Sequence, residues 1–325
     1  MTKLTKNIQL IEVYLDIGSG KHGTIEGVTA LAQACLYEHP SITTTQIFPD
    51  NKTNRLVHEQ PKYAKAKYIE ALAPFFDHNL IPVVQQVLST NKFPIIVSSN
   101  HTNAIGNVAA FLEHHKDKRV GVIWIDAHAD LHSVYTTPSG NMHGTPLAAI
   151  LRMDNLDCRI NEVPSEVAAF WKRMQYLASS HTNGVLPQDL YFLGLRSFEE
   201  EESYLIKKHG IFQRSATAHR QEGINNVLDK IIPQLQQLDT IYISFDIDAL
   251  DDTLVPATGT PEPHGYTMEE MRQILDKLLA LPNLGLFEIT EFNPTLDSDF
   301  EKHQSIYDLL HHAIDVIAPN QSPNT

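Results

Sequence analysis

Six apolar runs constrain most tightly what this chain can fold into: residues 8–15, Phe93–Ser98, Val120–Ile125, Leu190–Gly194, 240–245 and Leu284–Thr290. They are rich in Ile, Val, Leu, Phe and Tyr, and most lack the alternation of a half-exposed strand. Strands of that kind are covered on both faces, which requires helices above and below the sheet. Helical patterns lie between the runs, at 106–114, 224–238 and 268–281. The last follows Thr267, a capping residue with Glu270 three positions on. The alternation predicts an α/β fold with a mainly parallel sheet, whose ligands bind at the carboxyl ends of the strands. A single domain over residues 1–325 is expected, with a polar, frayed tail at 318–325.

The unusual residues fall at those strand ends. Asp126-Ala-His128-Ala-Asp130 follows one apolar run and Asp246-Ile-Asp248 follows another. Side chains two apart on an extended segment share a face, so four carboxylates and an imidazole crowd one edge of the sheet. Such a group repels itself unless a cation lies within it. Mixed carboxylate and imidazole donors suit a borderline divalent ion such as Mn, Co, Ni or Zn. An extended 126–130 segment would span roughly 13 Å, too far for one ion but workable for two if the chain curls.

Other strand ends add chemistry. His101 follows Phe93–Ser98 and is placed like the acids; most of the 17 histidines read as ordinary solvated or satisfied side chains. His143 emerges from the loop Thr136-Thr-Pro-Ser-Gly-Asn-Met-His, where it could move protons near neutral pH. Pro256-Ala-Thr-Gly-Thr-Pro261 is a rigid polar loop suited to lining a pocket, and Glu291 ends the last strand. On spacing alone Glu291 reads as a turn carboxylate.

Composition removes other classes. The net charge is −14 and no long basic run is present, which argues against nucleic acid or an anionic membrane as partner. Cys35 and Cys158 are too few for a disulfide framework and lack metal-ligand spacing. No signal-like or membrane-spanning run is evident, so a soluble cytoplasmic protein is expected.

The ordered set Asn100-His101, Asp126 to Asp130, Ser139-Gly-Asn141-Met-His143-Gly, Ser244-Phe-Asp-Ile-Asp248, the 256–261 loop and Glu291-Phe-Asn-Pro resembles the ureohydrolases, which include arginase, agmatinase and formimidoylglutamase. The Ser139 to Asn141 loop looks like the arginase branch, and segment 165–177 looks like the extra segment of arginases of the Helicobacter type. The resemblance implies a three-layer αβα sandwich and a binuclear centre, of manganese with cobalt or nickel as substitutes. It implies that His101, Asp126, Asp130 and Asp246 hold one ion, that His128 and Asp248 hold the other, and that Asp126 and Asp246 bridge. A hydroxide shared by the two ions would attack the guanidinium carbon of L-arginine, giving L-ornithine and urea. Asp130 would aim that hydroxide, Glu291 would pair with the guanidinium, Thr260 would shape its pocket and His143 would protonate the leaving amine. The partner is then a small guanidino substrate, and family members are often homo-oligomers.

Departures from the family pattern bear on the substrate. Ser98-Ser99-Asn100 stands where Gly-Gly-Asp is usual, so the charge behind His101 is missing and its ion is expected to bind less tightly. His132 replaces an Asn that binds the substrate carboxylate, alongside Ser139 and Asn141. Ser197-Phe-Glu199 stands where two Asp residues are usual; Glu199 is expected to reach the substrate amino group, and Glu202 matches another acid of that region. The alternatives are agmatinase, formimidoylglutamase or another guanidino-acid hydrolase, and a noncatalytic metal-binding protein of the same fold.

Overall fold

The computed structural model describes residues 7–180 and 184–320 and contains one eight-stranded sheet, with β1 Ile8–Val13, β2 Thr43–Ile47, β3 Phe93–Ser98, β4 Val120–Ile125, β5 Leu190–Gly194, β6 Phe212–Ser215, β7 Thr240–Asp246 and β8 Leu284–Thr290. Its order is β2-β1-β3-β8-β7-β4-β5-β6, and every pairing is parallel. The layering follows from the period of two along each strand. Val120, Val122 and Trp124 of β4 face one core, filled by helices Ile69–Phe75, Ile81–Leu88, Ala104–His114 and Ser165–Gln175. Ile123 and Ile125 face the other, covered by Thr24–Glu38, Ile224–Leu235, Met268–Leu278 and Phe300–Asn320. The expected αβα sandwich is what forms, and its sheet is wholly parallel.

The edge strands β2 and β6 are half exposed and carry Thr-Thr-Thr-Gln and Gln-Arg-Ser, which explains why no apolar run announced them. The first strand stops at Val13 rather than continuing to residue 15. The helix at 106–114 begins two residues earlier, at Ala104, while those at 224–238 and 268–281 end earlier, at Leu235 and Leu278. The Asn283 carboxamide donates to the Leu235 and Leu238 carbonyls and closes that turn. Thr267 and Glu270 form the expected reciprocal capping box. The expected tail begins inside the last helix, which runs through Asn320 with Ala318 buried, while 321–325 lie outside the described residues. Segment 165–177 is largely the helix Ser165–Gln175, which buries Val167, Trp171 and Met174. Among the described residues no helix is long and apolar enough to cross a membrane.

Candidate metal centre

Four adjacent central strands, β3, β8, β7 and β4, deliver the acids and histidines to one end of the sheet. Beyond β3, Asn100 accepts from the Thr102 amide and starts the short 3-10 turn His101–Asn103. This turn lays the His101 ring on Trp124 of β4, with centroids 4.0 Å apart and planes 7° from parallel. Beyond β4 the chain curls rather than extends. Asp126 accepts from the His128 amide at 2.6 Å, and Asp130 adopts φ 49°, a left-handed conformation uncommon outside glycine. Asp246 repeats the Asp126 turn by accepting from the Asp248 amide at 2.8 Å. Beyond β8, Glu291 takes φ 65° and accepts from the His101 amide at 2.9 Å. Backbone strain of this kind concentrates at functional sites.

These turns produce two nests of donors. His101 Nδ1 lies 3.0 Å from Asp126 Oδ2, 3.2 Å from Asp130 Oδ2 and 3.3 Å from Asp246 Oδ2. His128 Nδ1 lies 3.0 Å from Asp248 Oδ2 and 3.6 Å from Asp126 Oδ1, which sets Asp126 between the two groups. His101 Nδ1 and Asp126 Oδ2 are fully buried yet make no hydrogen bond. Buried polar atoms are rarely left so, and a ring nitrogen facing three carboxylate oxygens is a place for a cation.

The charges tell the same story. Burial, then the repulsion of Asp248 and Asp126, pushes Asp246 well above the usual carboxylate range. Burial and Asp126 likewise hold Asp130 up at about 6 and raise Asp248. Burial acts on Asp126 in the same direction, but the imidazoles of His101 and His128 outweigh it and hold that group low. Such a cluster settles when divalent charge enters it. The hydrogen bonds behind His101 make it ready for that. The Ser244 hydroxyl donates to Glu288 at 3.0 Å, so it accepts from His101 Nε2 at 2.8 Å. The Nε2 proton is thereby held in place, and because the carboxylates outweigh burial and raise the ring's pKa, it is the Nδ1 proton that a cation displaces to reach the lone pair. Glu288 is completely buried and also accepts from Tyr242 at 2.5 Å and Asn107 at 2.7 Å. The residues present fit two divalent ions.

A cavity of about 150 Å³ opens over the nests. His101, Asp126, His128, Asp130, Asp246, Asp248, Thr260 and Glu291 line its floor and walls, with His143 at the side. Thr260 donates to Asp248 at 3.1 Å, so it braces a nest acid. His143 Nδ1 lies 3.4 Å from Glu291 Oε1, and that carboxylate outweighs burial and raises the imidazole's pKa. Ser139, His132, Glu199 and Glu202 also line the cavity. His132 Nε2 bonds Glu199 at 3.0 Å; this bond holds Glu199 down at about 2, while burial lifts Glu202 to about 8.

One candidate lies apart. Asn141 is not part of the lining; its carboxamide oxygen accepts from Lys67 at 2.7 Å. Asn100 also differs from its expected role. It donates to the Leu15 and Ile17 carbonyls and shapes the turn, while a buried acid, Glu288, reaches His101 through the Ser244 hydroxyl. Glu288 escaped notice in the sequence, although an acid inside an apolar strand, Leu-Phe-Glu-Ile, was a signal for it.

The Arginase family model matches residues 6–313. An arginase of Bacillus caldovelox is 30% identical over 300 residues, covering 90% of this chain and 92% of that protein. The crystal structure of Helicobacter pylori arginase superposes with a TM-score of 0.81 at 29% identity, covering 95% of this chain and 99% of that one. Formimidoylglutamase from Bacillus subtilis has the same fold, with a TM-score of 0.71 at 21% identity over 98% of this chain and 88% of its own. The chain belongs to the arginase family, hydrolases of the carbon–nitrogen bonds of linear amidines that use a binuclear metal centre.

Proposed function

We propose that this protein is a manganese-dependent arginase, cleaving L-arginine to L-ornithine and urea. The observation that carries the reading is the pair of buried atoms that make no hydrogen bond, His101 Nδ1 and Asp126 Oδ2, inside a ring of carboxylates at the base of the cavity. His101, Asp126, Asp130 and Asp246 would hold one ion, and His128 and Asp248 the other, with Asp126 and Asp246 shared. Two divalent ions, when bound, make water nucleophilic at neutral pH and stabilise charge on the intermediate.

The side chains do the rest. Asp130 would accept the hydrogen bond of the attacking oxygen and aim it at the guanidinium carbon. Glu291 faces the guanidinium, with Oε1 already tied to the His101 amide and near His143. That contact supports His143 as the proton carrier for the leaving amine, because Glu291 favours its charged form. Thr260 keeps Asp248 in place. At the mouth, Ser139 and His132 are suited to the α-carboxylate, and Glu199 to the α-amino group, with Glu202 held behind it by backbone amides.

A second reading, hydrolysis of another guanidino compound, is favoured by one observation. His132 is already bonded to Glu199, which draws that donor away from a substrate carboxylate, and Asn141 lies outside the cavity lining. The deciding experiment strips the protein of metal, reloads it with Mn, Co or Ni, and measures urea from arginine, agmatine and guanidinobutyrate, with formamide from formimidoylglutamate in parallel. Turnover of arginine above the others supports the first reading. Preference for a substrate without an α-carboxylate supports the second, and no turnover with any ion contradicts both.

A further inference from the structure

His101 has an acceptor behind its ring, Ser244 backed by Glu288, and the same requirement applies to His128. His128 Nδ1 turns toward Asp248 and Asp126, so Nε2 points away from the nest and must carry the ring proton. The group it meets there is the Glu262 carboxylate, with Oε1 3.6 Å away, an ion-pair separation. Among the described residues His128 is the only ion-pair partner recorded for Glu262.

The carboxylate is held from several directions. The Ser197 hydroxyl donates to Glu262 Oε1 at 2.9 Å, and Ser197 itself is bridged in parallel register to His128, beyond β4 and β5. Pro261 and Pro263 flank Glu262 and stiffen its loop. The Arg196 guanidinium fastens that loop to the end of β7, donating to the Glu262 and Asp248 carbonyls at 2.8 Å each. Position 197 has no carboxylate of its own, and the Glu262 loop brings one within hydrogen-bond distance of it.

We propose that Glu262 is the positioning residue of His128: docked on Ser197, its carboxylate faces the Nε2 proton at ion-pair distance, favours that tautomer and ring angle, and strengthens Nδ1 as a metal ligand. This rests on the two-ion reading of the site. Glu262 is not among the residues lining the cavity, so its role is read from binding and from the His128 ring rather than from turnover.

The test titrates manganese into metal-stripped protein by calorimetry, comparing the unsubstituted chain with Glu262→Gln and Ser197→Ala. Long-range proton–nitrogen NMR of the zinc-loaded protein reports the His128 ring. The unsubstituted chain should take up two ions. Glu262→Gln should leave one affinity within about threefold and weaken the other about 10- to 100-fold. Ser197→Ala should weaken the same ion by less, and the slowly exchanging His128 Nε2 proton should be lost or shifted in Glu262→Gln. Unchanged affinities and an unchanged His128 signal would overturn the inference while sparing the metal centre. Equal loss of both ions with a lower metal-free melting temperature would make Glu262 a loop anchor and also overturn it. Fewer than two ions on the unsubstituted chain would remove the reading beneath it.

Discussion

Glu288, Ser244 and His101 form a chain of three buried side chains whose proton positions are dictated by the first. Glu288→Gln keeps the volume but places an amide N–H against Ser244 or Asn107. If the hydroxyl then donates to His101, the ring proton moves to Nδ1 and the ligand is lost. The expected outcome is about 10- to 100-fold weaker uptake of one ion, measured by calorimetric titration; an unchanged affinity contradicts the relay. Asp130 contributes to the pH dependence, beside Asp246, which burial and its acidic neighbours raise as well. With its pKa at about 6 in the metal-free chain, it holds a proton below pH 6 that must leave before the oxygen can ligate. Manganese affinity therefore rises as pH passes upward through 6, and binding releases protons. Calorimetry at pH 5 and 7.5, in buffers of different ionisation enthalpy, detects both effects. The acids of the centre were legible because strings such as Asp126 to Asp130 have no other reason to end a buried strand. Glu262 was not, since a Pro-Glu-Pro loop reads as solvated and only the fold brings it to His128.

At the level of elements, β3, β4, β5 and β8 were readable to the residue because both faces are buried and the apolar run is the whole strand. The edges β2 and β6 were hidden for the converse reason: one side meets solvent, and polar residues serve there. Helix starts depended on caps. Thr267 announced one through its side chain, whereas Asn103, ahead of Ala104–His114, makes no capping bond and left that start indistinct. The capping box is exposed, so its contribution can be measured without touching the core. Thr267→Ala is expected to destabilise the protein by about 1 kcal/mol in urea unfolding. A change near zero would mean that packing of Met271, Ile274 and Leu275 alone sets this helix.

Across the whole molecule, polar groups buried far from the cavity tie layers together and couple stability to pH. His219 is buried, bonded through Nε2 to the Ile224 carbonyl at 3.0 Å and through Nδ1 to the Tyr266 hydroxyl at 2.8 Å. Burial lowers its pKa below the ordinary value of 6.5. The unfolded chain then binds a proton near pH 6.5 that the folded chain refuses, so this contribution is complete above 6.5 and is lost as pH falls below it. Gln can reproduce both bonds without titrating. His219→Gln should therefore lose less stability than the parent between pH 7.5 and 5.5; an equal loss would place the sensitivity elsewhere. The charge at the cavity, in contrast, awaits ions. A third group, His132 with Glu199 and Glu202, has donors close enough for one, yet both carboxylates are already engaged, by His132 and by backbone amides. Anomalous diffraction from crystals grown with manganese would locate the ions. Two peaks are expected about 3.5–4 Å apart, one against His101 and one against His128, with Asp126 and Asp246 between them. A single peak, or manganese only at His132, Glu199 and Glu202, would contradict the two-ion reading.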